Sequence, residues 1–236
     1  MERARINIAG ETNIGAGRSK NEDNYCIFNP PGFPAALAVV CDGIGGHRDG
    51  EVASMFCCRR LMAEFLHRGP TLRDGAAAAE FLADTLTDVN SRLCRRNEFD
   101  GRKLPMGCTV VAAVFTEREL VFCSAGDSRL YGFSPGAGEL RQISTDDICR
   151  GSHALSRAVG IRRRLDPEPR ILPLDGDVMH LFCSDGLHHF VPDNEIADAL
   201  RESETSRAAV NRLMRRALLR GAGDNVTIIV AWSRTP

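Results

Sequence analysis

Four aspartates in the chain stand beside a glycine at a point where an apolar run ends or begins. They occur in the pairs Asp42-Gly43, Gly126-Asp127, Asp185-Gly186 and Gly223-Asp224. A carboxylate next to a buried strand is costly unless a partner compensates its charge. If these carboxylates converge, their repulsion raises their pKa values or requires a cation, and oxygen ligands without a histidine or cysteine set favour Mg²⁺ or Mn²⁺.

The competing interpretation is that these pairs are ordinary turns. Asp-Gly is a frequent turn dipeptide, and further pairs occur at Asp49, Asp74, Asp100 and Asp175. Spacing alone does not show that distant segments meet, so a divalent metal centre and a set of unrelated turns both remain open at this point.

The segments that would position these aspartates read as strands. Runs rich in β-branched or aromatic residues predict strands at 36–41, 108–115, 120–124, 129–133, 178–183 and 226–232, with weaker ones at 6–9 and 25–28. Strands arrive in blocks and helical patterns in pairs, which favours α+β layers over βαβ alternation.

Three helical patterns accompany the strands. The first carries Val52, Met55, Phe56, Met62, Ala63 and Leu66 as its apolar face and stops at Gly69-Pro70. The second carries Leu82, Leu86, Val89 and Leu93, and the third, at 207–220, carries Val210, Leu213, Met214 and Ala217 and ends at Gly221.

Composition excludes several classes of protein. The 236 residues carry 30 basic and 31 acidic side chains, a formal charge of −1 that argues against a nucleic-acid binder. The longest apolar stretch, 35–41, is too short to span a membrane, and the N-terminus lacks the apolar segment of a signal peptide, so we expect a cytoplasmic protein without membrane contact. No repeat or linker divides the chain, and residues 1–236 are expected to form one domain.

The nine cysteines are expected to be reduced core residues. Their number is odd and no CxxC motif occurs. Cys57 and Cys58 are neighbours in a helical pattern, where adjacent side chains diverge, so we expect neither a disulfide nor a shared zinc ion there.

The acidic pairs belong to a longer series of motifs, which resembles the metal-dependent serine/threonine protein phosphatases of the phosphatase 2C-like (PPM) family, in their compact bacterial form. The resemblance spans nearly the whole chain. In family order, the motifs are Gly17-Arg18-Ser19-Lys20-Asn21-Glu22-Asp23-Asn24, Val40-Cys41-Asp42-Gly43-Ile44-Gly45-Gly46-His47, Gly107-Cys108-Thr109, Ala125-Gly126-Asp127-Ser128, Leu155-Ser156-Arg157-Ala158-Val159-Gly160, Cys183-Ser184-Asp185-Gly186 and Gly223-Asp224-Asn225-Val226-Thr227.

The resemblance implies a four-layer αββα sandwich, in which two mostly antiparallel sheets are flanked by helix pairs and the metals lie at one end. Two core ions, Mg²⁺ or Mn²⁺, are then expected. Asp42 is expected to bridge them, the Gly43 carbonyl to help hold one, and Asp185 and Asp224 to complete the other. Asp127, together with Asp185, matches the position that holds a third, weaker ion.

Further roles are implied by the same resemblance. Glu22 and Asp23 are expected to hold metal-bound waters, and Arg18 matches the arginine that binds phosphate, although a solvated loop arginine is the alternative. His47 is expected either to protonate the leaving alkoxide or merely to stabilise its loop. His188-His189 are expected at the cleft edge or in packing.

The implied reaction is hydrolysis of phosphoserine and phosphothreonine esters on protein substrates by a hydroxide that bridges the two ions. A monomer that opposes a bacterial serine/threonine kinase is expected, with the kinase or its targets as partners. Two alternatives remain: a regulatory module that binds phosphoproteins without turnover, and a phosphomonoesterase acting on small molecules. The acidic positions argue against the binding module, because mutually repelling carboxylates serve no purpose there.

The chain departs from the family in one segment. The resemblance places a mobile flap between Ile143 and Leu155, but this chain has only a short segment there. Asp147 stands in it where the family usually has a histidine. A shortened flap predicts an open metal centre with weak discrimination among phosphopeptides.

Overall fold

The computed structural model describes residues 5–44, 49–101, 104–152 and 154–234. Within them the chain forms two five-stranded sheets and a short two-stranded one. The strands are β1 (Arg5–Asn13), β2 (Asn24–Phe28), β3 (Ala36–Cys41), β4 (Gly43–Ile44), β5 (Gly107–Cys108), β6 (Val110–Phe115), β7 (Glu119–Ala125), β8 (Arg129–Ser134), β9 (Glu139–Gln142), β10 (Arg170–Pro173), β11 (Asp177–Cys183) and β12 (Val226–Arg234).

The two large sheets lie face to face. The first has the order β1-β12-β11-β8-β9 and the second β10-β7-β6-β3-β2, and their neighbouring strands pair antiparallel. Their inner faces bury one hydrophobic layer, in which the Phe115 and Phe182 rings meet edge to face at 6.2 Å between centroids. This layer holds the two sheets together.

Helices cover both outer faces. They are α1 (Gly50–Arg68), α2 (Gly75–Phe99), α3 (Asp185–His188), α4 (Asp193–Arg201) and α5 (Ser206–Leu219). Buried side chains of α1 and α2 form one core with the second sheet, and those of α4 and α5 form another with the first. The predicted α+β sandwich of two antiparallel sheets with flanking helices is confirmed.

The predicted buried face of α1 is wrong. Val52 and Leu66 on that face are 38% and 50% exposed, whereas the helix buries the stripe Ala53, Cys57, Leu61 and Phe65. The stripe repeats every four residues, as a helix face requires, but its small and sulfur-containing members gave a weaker apolar signal than the larger Val, Met and Leu side chains beside them. The predicted apolar faces of α2 and α5 are buried as expected.

The antiparallel registers bring the acidic segments to one edge of the sandwich. Asn24 pairs with Cys41, Val110 with Ala125, and Cys183 with both Arg129 and Ile228. The residues just beyond these pairs are Asp23, Asp42, Asp127 and Asp185, with Asp224 two residues before β12. Strand pairing therefore places five aspartates, drawn from both sheets, at the same end of the molecule.

All nine cysteines are free. Seven of them are buried as predicted, whereas Cys26 and Cys149 are only partly buried. Among the described residues, no helix combines the length and the apolar character that a membrane crossing needs.

Candidate metal centre

A cleft of about 580 Å³ opens at the end of the sandwich where the acidic segments meet. Four predicted ligand side chains line it, together with the backbone of Gly43. Two basic side chains, Arg18 and Lys20, also line it. The lining residues are Arg18, Ser19, Lys20, Glu22, Asp42, Gly43, Ile44, Thr109, Asp127, Leu155, Asp185, Asp224 and Asn225.

Asp42 is held in place through its backbone. Its N–H donates to Thr109 Oγ1 at 3.0 Å, and its carbonyl accepts from the Thr109 N–H at 2.8 Å. The Thr109 hydroxyl is in turn paired with Ser128 Oγ at 2.6 Å. The two hydrogen bonds between Asp42 and Thr109 tie the end of β3 to the start of β6. They therefore fix the backbone position from which the Asp42 carboxylate extends.

Gly43 lies where three segments meet too closely for a side chain. A Cβ on it would lie 2.4 Å from the Gly50 carbonyl and 2.6 Å from the Glu22 carbonyl oxygen. Any larger residue would push the N-terminus of α1 away from the Glu22 loop. The Asp42-Gly43 pair is therefore required by close backbone approach and is not an ordinary turn.

The Asp42 carboxylate is surrounded by other carboxylates. Burial raises its pKa well above the ordinary value, and the charges of Asp23, Asp185, Asp127 and Asp224 raise it further. Such mutual repulsion arises only when the groups are close together. The convergence that the sequence left open is thus present in the structure.

Asp185 and Asp127 form one side of the cleft. Asp185 begins α3, its Oδ2 lies 3.4 Å from His189 Nδ1, and its buried Oδ1 has no hydrogen-bond partner in the described part of the chain. Burial raises the pKa of Asp127, and the charge of Asp185 adds to that shift. His188 packs behind them, with Nε2 at 3.1 Å from the Asp127 carbonyl oxygen.

Asp23 lies behind the cleft wall, where it is only 4% exposed. Its Oδ2 accepts hydrogen bonds from the hydroxyls of Ser184 and Thr227, each at 2.7 Å. Burial raises the pKa of Asp23 to about 6 despite these hydrogen bonds, and the charges of Asp185 and Asp224 contribute to the rise. Its other oxygen, Oδ1, is buried and makes no hydrogen bond within the described residues.

Arg18 reaches across the mouth of the cleft to Asp224. Its Nη2 donates to Asp224 Oδ2 at 2.6 Å, and its side chain is 50% exposed. Asn225 fixes the loop that carries Arg18, since its amide donates to the carbonyls of Ile14 and Lys20 and its Oδ1 accepts from the Glu22 N–H. The arginine is therefore both anchored and accessible.

The residues present fit a pair of hard divalent cations. The side chains that line the cleft offer carboxylate oxygens, which are ligands that Mg²⁺ and Mn²⁺ prefer, and Gly43, whose carbonyl is the further predicted ligand, lines it too. The raised pKa of Asp42 and the orphaned Asp185 Oδ1 both indicate negative charge that lacks its counter-ion. A cation at this position relieves both costs.

Comparison with known proteins agrees with this geometry. The family model described as protein phosphatase 2C matches residues 9–225. The chain belongs to the protein phosphatase 2C family. The predicted family and enzyme class are thereby confirmed.

Individual relatives match this phosphatase over nearly its full length. The serine/threonine phosphatase stp of Listeria monocytogenes is 28% identical, with 93% of this chain and 92% of that protein covered. The crystal structure of the serine/threonine phosphatase Stp1 from Staphylococcus aureus has a TM-score of 0.85 at 29% identity, covering 100% of this chain and 98% of that one. The catalytic domain of PstP, crystallised in complex with two manganese ions, has a TM-score of 0.81 at 29% identity, covering 98% and 99%.

The segment predicted to be a shortened flap is closed by contacts between its two ends. Ile148 bridges Leu155, and the Cys149 N–H donates to the Ala154 carbonyl at 2.8 Å. Asp147, predicted to stand where the family has a histidine, accepts from Arg157 Nε at 3.0 Å and from the Gly126 N–H at 3.1 Å. Asp147 therefore braces the loop that carries Asp127 and does not face the cleft as a lining residue.

The structure brings together all the predicted site residues that it describes. Glu22 lines the cleft, while Asp23 sits behind it, and His47 lies outside the described residues. The sequence did not assign roles to Thr109 and Asn225, although both stand in motifs that carried the resemblance. Asn225 directly follows the predicted ligand Asp224, which is a signal in the sequence. Thr109 is a neighbour of Asp42 only in the folded protein, so its membership of a motif is the one sequence signal for it.

Proposed function

We propose that this chain is a serine/threonine protein phosphatase that hydrolyses phosphoserine and phosphothreonine esters with two divalent ions, Mg²⁺ or Mn²⁺. The single observation that supports it most is the convergence of Asp42, Asp127, Asp185 and Asp224 on one cleft with an accessible arginine at its mouth. The relatives named above carry the same activity in their descriptions.

Within the proposal, Asp42 would contribute to holding both ions, the Gly43 carbonyl would help to hold one of them, and Asp185 and Asp224 would hold the other. When bound, the ions supply Lewis-acid activation of water and neutralise phosphoryl charge. Asp127 and Asp185 together offer oxygens for a third, weaker ion. Glu22, at the cleft wall, and Asp23, behind it, orient water on the metal side of the cleft.

Arg18 positions the phosphoryl group. In the structure its guanidinium is held by Asp224 Oδ2, an oxygen that the proposal assigns to an ion. With Asp224 engaged as a metal ligand, the planar fork of the Arg18 guanidinium would be available to donate two hydrogen bonds to phosphoryl oxygens. Arg18 therefore stabilises the charge that develops on the phosphoryl group in the transition state.

The substrates proposed are the phosphorylated targets of a bacterial serine/threonine kinase, or the kinase itself. Ile148 bridges Leu155, and among the described residues of the 148–155 segment Leu155 alone lines the cleft. Such a cleft imposes little shape selection beyond the phosphoryl group. We therefore expect comparable activity toward phosphopeptides and a small aryl phosphate.

The test is a metal-titrated hydrolysis assay with peptides that carry phosphoserine, phosphothreonine or phosphotyrosine, an aryl phosphate, and small metabolites. The proposal predicts turnover of the first two peptides that requires Mn²⁺ or Mg²⁺, stops on chelation and returns when metal is restored. Binding of phosphopeptides without turnover at any metal concentration identifies a binding module instead. Turnover confined to metabolites identifies a small-molecule phosphomonoesterase.

A further inference from the structure

Beneath the carboxylate cleft, three elements direct thiols toward one another. Cys41 ends β3, Cys108 lies in β5, and Cys57 lies on the buried face of α1. Their three Sγ atoms are all within 4.8 Å of one another, and all three residues have zero exposure. Cys41 and Cys108 immediately precede Asp42 and Thr109, so this thiol cluster lies one residue from the hydrogen bonds that position Asp42.

The spacing of these sulfurs suits a metal ion. Three atoms that are at most 4.8 Å apart can all lie within about 2.8 Å of one common point. A zinc–sulfur bond is about 2.3 Å long. Each sulfur therefore has to move by no more than about 0.5 Å to reach bonding distance, which rotation of a cysteine side chain provides.

The chemistry of the cluster differs from that of the cleft. Thiolates select soft or borderline ions such as Zn²⁺, whereas the carboxylates above select Mg²⁺ and Mn²⁺. The Cys57 thiol accepts from those of Cys108 and Cys41, and these hydrogen bonds lower the pKa of Cys57.

The sequence indicated no shared zinc at Cys57-Cys58, because neighbouring side chains on a helix diverge. In the structure the two share one partner and differ in the other, since Cys57 meets Cys41 and Cys108, while Cys58 meets Cys41 and Cys26. Cys57 finds its partners on two strands that are distant in the sequence, and the strand pairing that brings Cys41 and Cys108 together is long-range. Diverging neighbours therefore do not exclude a metal site.

We propose that Cys41, Cys57 and Cys108 bind one thiophilic metal ion, of which Zn²⁺ is the representative, as a structural site separate from the carboxylate centre. Binding of the ion by Cys41, Cys57 and Cys108 releases their thiol protons to solvent, because the thiolate and not the thiol is the metal ligand. The ion ties β3, β5 and α1 together directly below Asp42. Because the thiols are fully buried, it is loaded as the chain folds and is retained afterwards.

The proposal does not rest on the phosphatase reaction, and its test does not use activity. The full chain is produced with zinc in the medium, then dialysed against excess Mg²⁺ so that zinc on the carboxylates is displaced, and its zinc content per chain is measured. A second sample is refolded with Cd²⁺, and the ultraviolet absorption of cadmium–thiolate bonds is recorded. The wild type is expected to retain about one zinc per chain and to show this absorption.

Two alanine variants make the comparison specific. Cys57→Ala is expected to lose the zinc and the cadmium–thiolate absorption, whereas Cys123→Ala keeps both, since Cys123 is buried in the same core but outside the cluster. Zinc loading is also expected to raise Tm of the wild type by about 5 °C or more at a hundredfold excess over Kd, and to leave Tm of Cys57→Ala unchanged.

Two results overturn the proposal. One is a wild-type protein that holds no zinc and shows no cadmium–thiolate absorption under either condition. The other is a folded Cys57→Ala variant that holds as much zinc as the wild type. If Cys57→Ala does not fold, Cys108→Ala is used in its place. The cadmium–thiolate absorption of the wild type then still tests the proposal, since its presence supports the metal site and its absence contradicts it.

Discussion

Asp23 offers a quantitative test of charge repulsion at the acidic centre. Its pKa in the folded protein is raised from 3.8 to about 6, chiefly by burial. A shift of about two pKa units corresponds to about 3 kcal/mol of stability. Because the folded state holds this proton more tightly than the unfolded state, the metal-free protein is stabilised below about pH 4 and loses that stability as pH rises through 6.

The substitution Asp23→Asn removes the charge but keeps the shape. An asparagine carbonyl oxygen can still accept from the hydroxyls of Ser184 and Thr227, as Asp23 Oδ2 does now. The metal-free variant is therefore expected to exceed the wild type by about 3 kcal/mol in free energy of unfolding at pH 7.5, and to match it near pH 3.5. Saturating Mn²⁺ is expected to stabilise the wild type more than the variant, because the cation favours the ionised carboxylate.

The assay is urea unfolding in the presence of a chelator at several pH values, followed by fluorescence and circular dichroism to establish that the transitions coincide. Asp175→Asn is the matched control, since Asp175 is exposed and stands before the start of β11, at the end of the sandwich opposite the cleft. Equal stability of wild type and Asp23→Asn at pH 7.5 contradicts the reasoning. A difference that is the same at every pH contradicts it too, because it then arises from hydrogen bonding and not from charge.

Three further substitutions separate the roles at the cleft. Asp185→Asn is expected to cut turnover by orders of magnitude in a folded protein, as circular dichroism and phosphopeptide kinetics can show; near-normal turnover rules out its assignment as a ligand. Arg18→Ala is expected to lower kcat/KM for phosphopeptides while Mn²⁺ binding persists, and unchanged kcat/KM excludes its contact with the phosphoryl group. Thr109→Val leaves the Asp42 N–H and the Ser128 hydroxyl without their partner, so we expect a loss of about 1–3 kcal/mol in urea unfolding; a loss below about 0.5 kcal/mol would show that Thr109 does not position Asp42.

The parts of the fold that were predictable are those with a strong local period. The strand β3 and the apolar faces of α2 and α5 follow from periodicity in one short segment. The edge strands β9 and β10 were not predicted. Their four-residue segments are largely exposed, so they carry little of the apolar alternation that marks a strand.

The site was predictable as a list of residues and not as an arrangement. Asp42 and Asp185 each end an apolar run, which marks them in the sequence, but their approach depends on pairing between strands that are far apart in the chain. The same limit applies to Cys57, whose neighbours Cys41 and Cys108 arrive from β3 and β5. Contacts of this kind are decided by strand register, which one sequence does not contain.

The central claim is that the aspartates at this cleft hold the ions on which hydrolysis depends. Its most direct test is a calorimetric titration of the metal-free wild type and of Asp42→Asn with Mn²⁺. We expect the wild type to bind two ions, the number found in the manganese-bound catalytic domain of PstP, and the variant to lose at least one of them. A variant that binds Mn²⁺ with the same stoichiometry and affinity as the wild type would contradict the claim.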